Sequence, residues 1–373
     1  MAWCSLDRQT SDRGGRQDLS VNRVSAPGRV CLFGEHQDYL GLPVIAAAVS
    51  LRISIEWQPS DRTCFMLDLP DIGQAAAFEP NEPQVYVHQR DYLRSAINVL
   101  LREGMTWSRG ITATMRSEIP INAGVSSSSA MVTAWLRLLG LWADQPVDLT
   151  GLELARLAHR AEVMEFGEAG GMMDHFCAAL GGVLFIDTRP PFSAKTLEAS
   201  LSGLVLGNSR EPKATVETLK KRRAEVLEGV RQMTAVDANF DLKTTPWEEA
   251  VDLLGNVDAL PRRRVTANLV NRGLCADALD ALTRGASDQI GKLLDAHHAQ
   301  LRDGLDLSTP KIERMIEAAH AAGALGAKIN GSGGGGCMFA YAPGREDDVA
   351  DAIRRAGGDA YIVSVDDGAT KDG

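Results

Sequence analysis

Four consecutive serines at the start of an apolar stretch restrict the fold of this 373-residue chain more than any other feature. The run at 126–129 follows a Pro/Gly turn at 120–124 and opens a helix predicted over about 127–141. The first N–H groups of a helix have no internal partner, and with the helix dipole they attract anions. One serine is enough to cap a helix, so four favour a phosphate site, in which a hydroxyl can also bind Mg²⁺. A nucleophilic serine is the other alternative, but no G-x-S-x-G motif is present.

A second glycine-rich segment, at 331–336, formally matches the G-x-G-x-x-G pattern. A dinucleotide site requires a helix directly after the glycines. The residues that follow, at 337–342, have the pattern of a strand, so the sequence argues against such a site. A turn that lets the backbone approach a ligand or another loop is the remaining interpretation.

The third candidate is a polar loop at 34–41, bounded by two glycines and preceded by Arg29. Glu35, His36 and Asp38 lie within four residues of one another. They can be metal ligands, a solvated loop, or hydrogen-bonding groups for several hydroxyls. Side chains that alternate along a loop are poorly placed to surround one metal ion and well placed to bind several hydroxyls. Ligand-contacting groups also concentrate in such loops, which argues against a merely solvated loop.

The fourth candidate is Asp174, which follows a glycine pair and two methionines and opens an apolar helix. A helix N-cap is one interpretation, and a general base or a metal carboxylate is the other. The histidines at 159, 175, 297 and 298 are interpreted as structural or surface residues.

Alternating strand and helix patterns predict a mixed α+β chain in two lobes. The Arg189-Pro190-Pro191 sequence places the boundary between lobes at 21–190 and 191–365, with flexible tails at 1–20 and 366–373. A formal net charge of −10 argues against a nucleic-acid or anionic-membrane binder. The six cysteines lack zinc spacing, and no apolar run is long enough to span a bilayer, so we expect a cytoplasmic protein.

Taken in order, the segments at 27–41, 120–130 and 328–337 resemble the three motifs of the GHMP kinase superfamily, and the likeness covers most of residues 21–345. Within it, residues 28–41 are similar to the galactokinase signature GRVxLxGEHxDYxG. Ala161-Glu162 and the Gly171-Met-Met-Asp174 turn look like a second galactokinase block. Mevalonate kinases share the GEH but not the following Asp-Tyr, so Asp38 and Tyr39 favour galactokinase.

The resemblance implies a two-lobed fold, with a ribosomal-protein-S5-like N-terminal lobe and a ferredoxin-like C-terminal lobe. It also implies an ATP- and Mg²⁺-dependent kinase for the anomeric hydroxyl of a sugar, acting as a monomer or homodimer. Asp174 would be the catalytic base and Arg29 its electrostatic partner. The other implied roles are sugar binding by Glu35, His36, Asp38 and Gly171; ATP binding by Gly124, Ser126, Ser127, Ser128, Gly333, Gly334 and Gly335; and Mg²⁺ binding by Ser128 and Glu162.

The chain departs from the galactokinase pattern at several positions. Cys31 replaces the usual Asn, His175 the usual Gln, and Ser129 a common Ala, while Lys220 stands at about the position of a sugar-contacting Tyr. The acceptor could therefore be galactose, a uronic acid, an amino-sugar or mevalonate, and a catalytically silent sensor is a further alternative. By the resemblance, Glu35 would face the C6 end of the sugar, where its charge would repel the carboxylate of a uronic acid. We therefore expect kcat/KM to be at least tenfold higher for a neutral hexose than for its uronic acid, a difference of about 1.4 kcal/mol.

Overall fold

The computed structural model describes residues 22–120, 123–168, 170–212 and 215–372. The predicted tail at 1–20 lies outside the described residues. The strands are β1 (Asn22–Phe33), β2 (Val44–Ser60), β3 (Phe65–Leu69), β4 (Gln74–Phe78), β5 (Gly110–Ser117), β6 (Val183–Asp187), β7 (Ser193–Leu197), β8 (Leu204–Asn208), β9 (Gly326–Asn330), β10 (Cys337–Tyr341), β11 (Asp359–Val363) and β12 (Thr370–Asp372). The α-helices are α1 (Tyr92–Arg102), α2 (Ser127–Trp142), α3 (Gly151–His159), α4 (Met173–Leu180), α5 (Thr215–Val236), α6 (Trp247–Leu254), α7 (Ala259–Arg284), α8 (Ser287–Ala299), α9 (Pro310–Ala321) and α10 (Glu346–Arg355).

The first sheet carries the predicted N-terminal motifs. Its main path runs β12-β1-β2-β5-β3-β4, with β6 on β2 and β7 on β6. The long strand β2 is rich in β-branched and other apolar residues and is buried over its first half, as expected for a strand in the middle of a sheet. Helices α2 and α4 pack against β1. Their N-termini, which carry the serine run and Asp174, therefore meet above the same strand.

The second sheet is antiparallel, in the order β11-β8-β10-β9. With α9 and α10 it follows the β-α-β-β-α-β arrangement of a ferredoxin-like fold. It has a core of its own, which includes Met315, Ile316, Ile329, Met338 and Ile353. The expected two-lobed α+β architecture is therefore confirmed.

A smaller core attaches the polar loop of the first lobe to the helices of the second. Leu40 and Leu42 pack with Val226, Met233 and Leu269, which lie on α5 and α7. Burial of these side chains fixes the end of the loop that carries Glu35 and Asp38.

The C-terminal segment differs from its prediction as a flexible tail. Strand β12 pairs with β1, and Thr370 lies opposite Ser25. Arg52 donates hydrogen bonds to Asp366 Oδ2 at 2.8 Å and to the Gly368 carbonyl at 2.7 Å. The prediction is wrong for residues 366–372 because the edge of β1 and the partly buried guanidinium of Arg52 hold the segment. Gly373 lies outside the described residues.

The Pro190-Pro191 sequence does not end the first sheet. Strand β7 follows it and pairs antiparallel with β6. The sequence patterns also missed β3 and β4, a short hairpin at the sheet edge. None of the helices in the described ranges is long and apolar enough to cross a membrane.

Candidate active site

A cleft of about 370 Å³ brings residues of all four candidate segments to one place. It lies between the polar loop, the N-termini of α2 and α4, and one turn of α5. The lining residues that the sequence predicted are Arg29, Glu35, His36, Asp38, Gly124, Ser126, Ser127, Ser128, Glu162, Gly171 and Asp174. Those without a predicted site role include Tyr39, Arg90, Tyr92, Glu168, His175, Leu219, Gly331 and Ser332.

Arg29 and Asp174 form an ion pair on the wall of the cleft. The Nε atom of Arg29 donates to Asp174 Oδ1 at 2.7 Å, and Nη1 donates to the Gly124 carbonyl at 2.6 Å. Burial, the largest single cause, would raise the pKa of Asp174, but the Arg29 charge and the hydrogen bonds to the carboxylate together hold that pKa below its usual value. The Asp174 side chain is 31% exposed, whereas that of Arg29 is 6% exposed. Asp174 is therefore an ionised carboxylate open to the cleft.

The serine run begins α2 without capping it in the usual way. Ser126 occupies the N-cap position with φ of 59°, and its side chain makes no capping hydrogen bond. Its Oγ is buried and lacks a hydrogen-bond partner among the described residues. Gly124 precedes it with φ of 86°, and a Cβ there would lie 2.8 Å from the Asn330 carbonyl oxygen. The simple-cap interpretation therefore fails at Ser126, while Ser126, Ser127 and Ser128 line the cleft.

Glu162 lies beside the serine run, in a single wide turn (Arg160–Met164) that extends α3. His175 Nε2 lies 2.9 Å from Glu162 Oε2, and both side chains are buried. Burial alone would raise the pKa of Glu162, but hydrogen bonds from His175, Ser128 and Ser129 lower it. Because its ring is buried and contacts a predicted metal ligand inside the cleft, His175 is not a surface residue, and of the two interpretations only the structural one remains.

The oxygen donors of Ser128 and Glu162 suit Mg²⁺, which keeps several waters and binds through one or two carboxylates together with substrate phosphates. Within the described part of the chain, no group of three or more His, Cys, Asp or Glu side chains could hold a metal ion by itself. The donor set thus fits a metal that is shared with phosphates and does not fit an all-protein metal cage.

Glu35 is not an isolated charge in this structure. Lys328 Nζ on β9 donates to Glu35 Oε2 at 2.9 Å and to the Cys31 carbonyl at 2.7 Å. The Lys328 side chain is 0% exposed and that of Glu35 is 3% exposed. The predicted repulsion of a uronic acid by Glu35 assumed an unpaired carboxylate, and the ion pair removes that assumption.

His36 has a different set of contacts from the one predicted. Its Nε2 lies 3.1 Å from the Ser332 carbonyl oxygen and its Nδ1 lies 2.8 Å from the Tyr39 hydroxyl. Because a carbonyl can only accept, Nε2 is the donor and Nδ1 accepts from Tyr39. Burial lowers the pKa of His36 to about 4, which keeps the ring neutral. Both ring nitrogens are thus used within the protein, and His36 connects the polar loop to the glycine-rich segment. Its role in sugar binding stays a prediction.

Asp38 and Gly171 touch across the cleft. A Cβ at Gly171 would lie 2.1 Å from Asp38 Oδ2, so a larger residue would displace the carboxylate. Burial is the larger cause and the nearby Asp174 charge the next, and they raise the pKa of Asp38 to about 6. Asp38 is the predicted sugar-binding residue whose environment is most sensitive to pH.

The glycine-rich segment reaches the cleft through its first two residues. Gly331 and Ser332 line it, whereas Gly333, Gly334 and Gly335 do not. Gly333 packs against Leu307, which a Cβ at that position would meet at 2.7 Å, whereas a Cβ at Gly334 would meet no atom within 4 Å. The role of the latter three glycines in ATP binding stays a prediction.

The second lobe contributes to the cleft through residues 219–220 and β9. Lys220 and Leu219 line the cleft at the predicted sugar-contacting position. Asn330 donates to the Gly124 carbonyl at 2.8 Å and accepts from the Cys31 amide at 2.8 Å. Lys328 and Asn330 are two residues apart on a buried strand, so both side chains point to the same face. That pair of polar residues in an apolar strand is the sequence signal that would have identified them.

Three family models match the chain. The GHMP kinases N terminal domain matches residues 91–182, and GHMP kinases C terminal matches residues 278–360. A galactokinase galactose-binding signature matches residues 15–59, a range that includes Glu35, His36 and Asp38.

Relatives over nearly the whole chain include two kinds of kinase. A mevalonate kinase of Thermococcus gammatolerans is 31% identical, covering 92% of this chain and 95% of that protein. A galactokinase of Haemophilus influenzae is 26% identical, covering 92% of this chain and 90% of that protein.

Solved structures share the fold. Lactococcus lactis galactokinase complexed with galactose superposes with a TM-score of 0.80 at 24% identity, over 94% of this chain and 95% of that one. Methanococcus jannaschii mevalonate kinase superposes with a TM-score of 0.73 at 20% identity, over 94% of this chain and 100% of that one.

Proposed function

The chain belongs to the GHMP kinases and is a phosphotransferase acting on an alcohol group, and we propose that it phosphorylates the anomeric hydroxyl of galactose or a related hexose with ATP. The observation that carries this proposal is the Arg29–Asp174 pair, which opens onto a cleft also lined by the serine run and the polar loop. The galactose-binding signature over residues 15–59 supports a sugar as the acceptor.

In the proposed reaction, Asp174 orients the acceptor hydroxyl and takes its proton. Its Oδ1 atom accepts from Arg29, which leaves Oδ2 for the hydroxyl. Phosphoryl transfer proceeds through a loose transition state, so orientation and charge stabilisation contribute more than basicity. A carboxylate with a lowered pKa is adequate for that task, and Arg29 holds it in place. The guanidinium also offers positive charge beside the group being transferred.

The phosphates of ATP would lie at the N-terminus of α2, where Ser126, Ser127 and Ser128 line the cleft and the first N–H groups of the helix favour an anion. Ser128 and Glu162 would hold Mg²⁺, which when bound neutralises charge on the phosphate oxygens. The sugar would contact Asp38, whose carboxylate reaches its position because Gly171 has no side chain.

A second candidate is a kinase for an acidic acceptor such as mevalonate or a uronic acid. Two observations favour it. The mevalonate kinase relative is more similar than the galactokinase, at 31% against 26% identity. Lys220 also places an ammonium group at the cleft while Glu35 is neutralised by Lys328.

The deciding experiment is an ADP-release screen of the purified protein with ATP and Mg²⁺ over hexoses, pentoses, uronic acids and mevalonate. Phosphorus NMR of the product then identifies the phosphorylated position. A galactose-type hexose with a 1-phosphate product supports the first proposal. A preference for galacturonate or mevalonate supports the second candidate instead. Binding of ATP and sugar without turnover of any acceptor would indicate a silent sensor.

Cytoplasmic location and a monomeric or homodimeric state belong to the same proposal. Cell fractionation tests the first. Light scattering after size-exclusion chromatography tests the second.

A further inference from the structure

The ring of His175 is buried directly behind Glu162, at a position where galactokinases resembling this chain have Gln. His175 is 2% exposed and Glu162 is 8% exposed. We propose that His175 is a positioning residue that fixes the Glu162 carboxylate as a Mg²⁺ ligand, an inference that rests on the proposed kinase function.

The hydrogen bond between the two residues has a defined direction. Nε2 of His175 lies 2.9 Å from Glu162 Oε2, while its Nδ1 is buried without a hydrogen-bond partner among the described residues. A proton on Nδ1 would be a buried donor with no acceptor, which costs about 1–3 kcal/mol. The ring with its proton on Nε2 avoids this cost and donates to the carboxylate. Oε2 is thereby held, and the rest of the carboxylate faces the Ser128 and Ser129 hydroxyls.

A second histidine holds the first in its orientation. The rings of His159 and His175 meet edge to face, with centroids 5.2 Å apart and planes at 86°. Burial, with the neighbouring His175, lowers the pKa of His159 to about 4, so no charge disturbs the contact at neutral pH. Rotation of the His175 ring away from Glu162 would require displacing His159.

Such support matters for Mg²⁺ in particular. The ion requires near-ideal octahedral geometry, so a carboxylate that is already oriented loses less freedom on binding. Hydrogen-bonding partners of metal ligands typically change metal affinity about 10- to 100-fold when they are removed. We expect the same range for His175.

The test compares His175→Leu, which removes the donor, with His175→Gln, which keeps an N–H donor. The chain offers a matched control: His298 Nε2 also lies 2.9 Å from a glutamate, Glu313 Oε1, and does not line the cleft. Mn²⁺ binding to the enzyme–ADP complex, measured by electron paramagnetic resonance, reports the metal site independently of turnover. Near-UV circular dichroism checks the fold of each variant.

We expect His175→Leu to weaken Mn²⁺ binding about 10- to 100-fold, His175→Gln to restore most of it, and His298→Leu to leave it unchanged. Turnover of His175→Leu should approach that of wild type at saturating Mg²⁺, which a general folding defect would not allow. If His175→Leu does not fold, His175→Asn replaces it, because the shorter Asn side chain does not reach Glu162 as Gln does. Weak Mn²⁺ binding by His175→Asn together with near-normal binding by His175→Gln then supports the same conclusion.

Wild-type Mn²⁺ affinity in His175→Leu or, where that variant does not fold, in His175→Asn would overturn the inference and leave the kinase proposal intact. So would equal losses in the Gln variant and the donor-removing variant. Failure of the wild-type protein to bind Mn²⁺ with ADP would overturn both.

Discussion

Replacing Lys328 by Met tests whether the ion pair with Glu35 holds the polar loop in place. Methionine keeps most of the unbranched side chain but removes the charge and both hydrogen bonds, to Glu35 Oε2 and to the Cys31 carbonyl. Because Glu35 is 3% exposed on its side chain, it cannot recover the lost interaction from water. Removing one partner of a buried ion pair costs about 3–5 kcal/mol in the free energy of unfolding.

Glu35→Gln should cost less, about 1–3 kcal/mol, because the amide oxygen still accepts from Lys328. The double variant should lose less than the sum of the two single losses, since neither charge is then left unpaired. Urea unfolding followed by tryptophan fluorescence and far-UV circular dichroism measures all four proteins. A loss below about 1 kcal/mol in Lys328→Met, or strictly additive losses, would refute the reasoning.

Four further predictions concern the proposed reaction. Asp174→Asn should reduce kcat about 10²–10⁴-fold with much smaller changes in ATP and acceptor binding; near-full turnover in a rate assay would make Asp174 a helix cap only. Ser128→Ala and Glu162→Gln should each raise the Mg²⁺ concentration for half-maximal rate, and unchanged titrations would remove both residues from the metal site. Gly171→Ala should raise the acceptor KM more than the ATP KM, because a Cβ would lie 2.1 Å from Asp38 Oδ2. Equal relative changes in the two KM values would contradict a role of this contact in acceptor binding. Since the pKa of Asp38 is raised to about 6, the carboxylate becomes protonated and loses acceptor capacity below that pH, so kcat/KM should fall on the acid side of about pH 6. Asp38→Asn should abolish this limb of the pH profile, and a limb that persists in the variant belongs to another group.

Local patterns in the sequence were sufficient for the elements with regular periodicity. Helix α2 spans Ser127–Trp142, close to the predicted range of about 127–141, and the strand pattern at 337–342 corresponds to β10, Cys337–Tyr341. Strands β3 and β4 were missed, and the terminal strand β12 was predicted as a tail. Strand β12 takes its hydrogen bonds from β1, at the other end of the chain, and the β3–β4 hairpin joins the sheet through β5, which follows only after α1.

The sequence by itself determined the chemical inventory of the site. The order and spacing of the motifs placed Arg29, the serine run and Asp174 in one family of phosphotransferases, and the structure brings these residues to one cleft. Arg29 lies in β1, and the serine run and Asp174 lie at the starts of α2 and α4, so the local pattern around each can be recognised within a few residues.

Only the tertiary structure decided which of these groups are free and which are paired. Lys328 reaches Glu35 across 293 positions of the chain, and Ser332 reaches His36 across 296. His175 lies 13 residues from Glu162, yet a turn between two helices brings them together. The charge and hydrogen-bonding capacity of a buried group depend on what packs against it. Those neighbours are set by how the two lobes and their helices meet, which no local pattern in the sequence encodes.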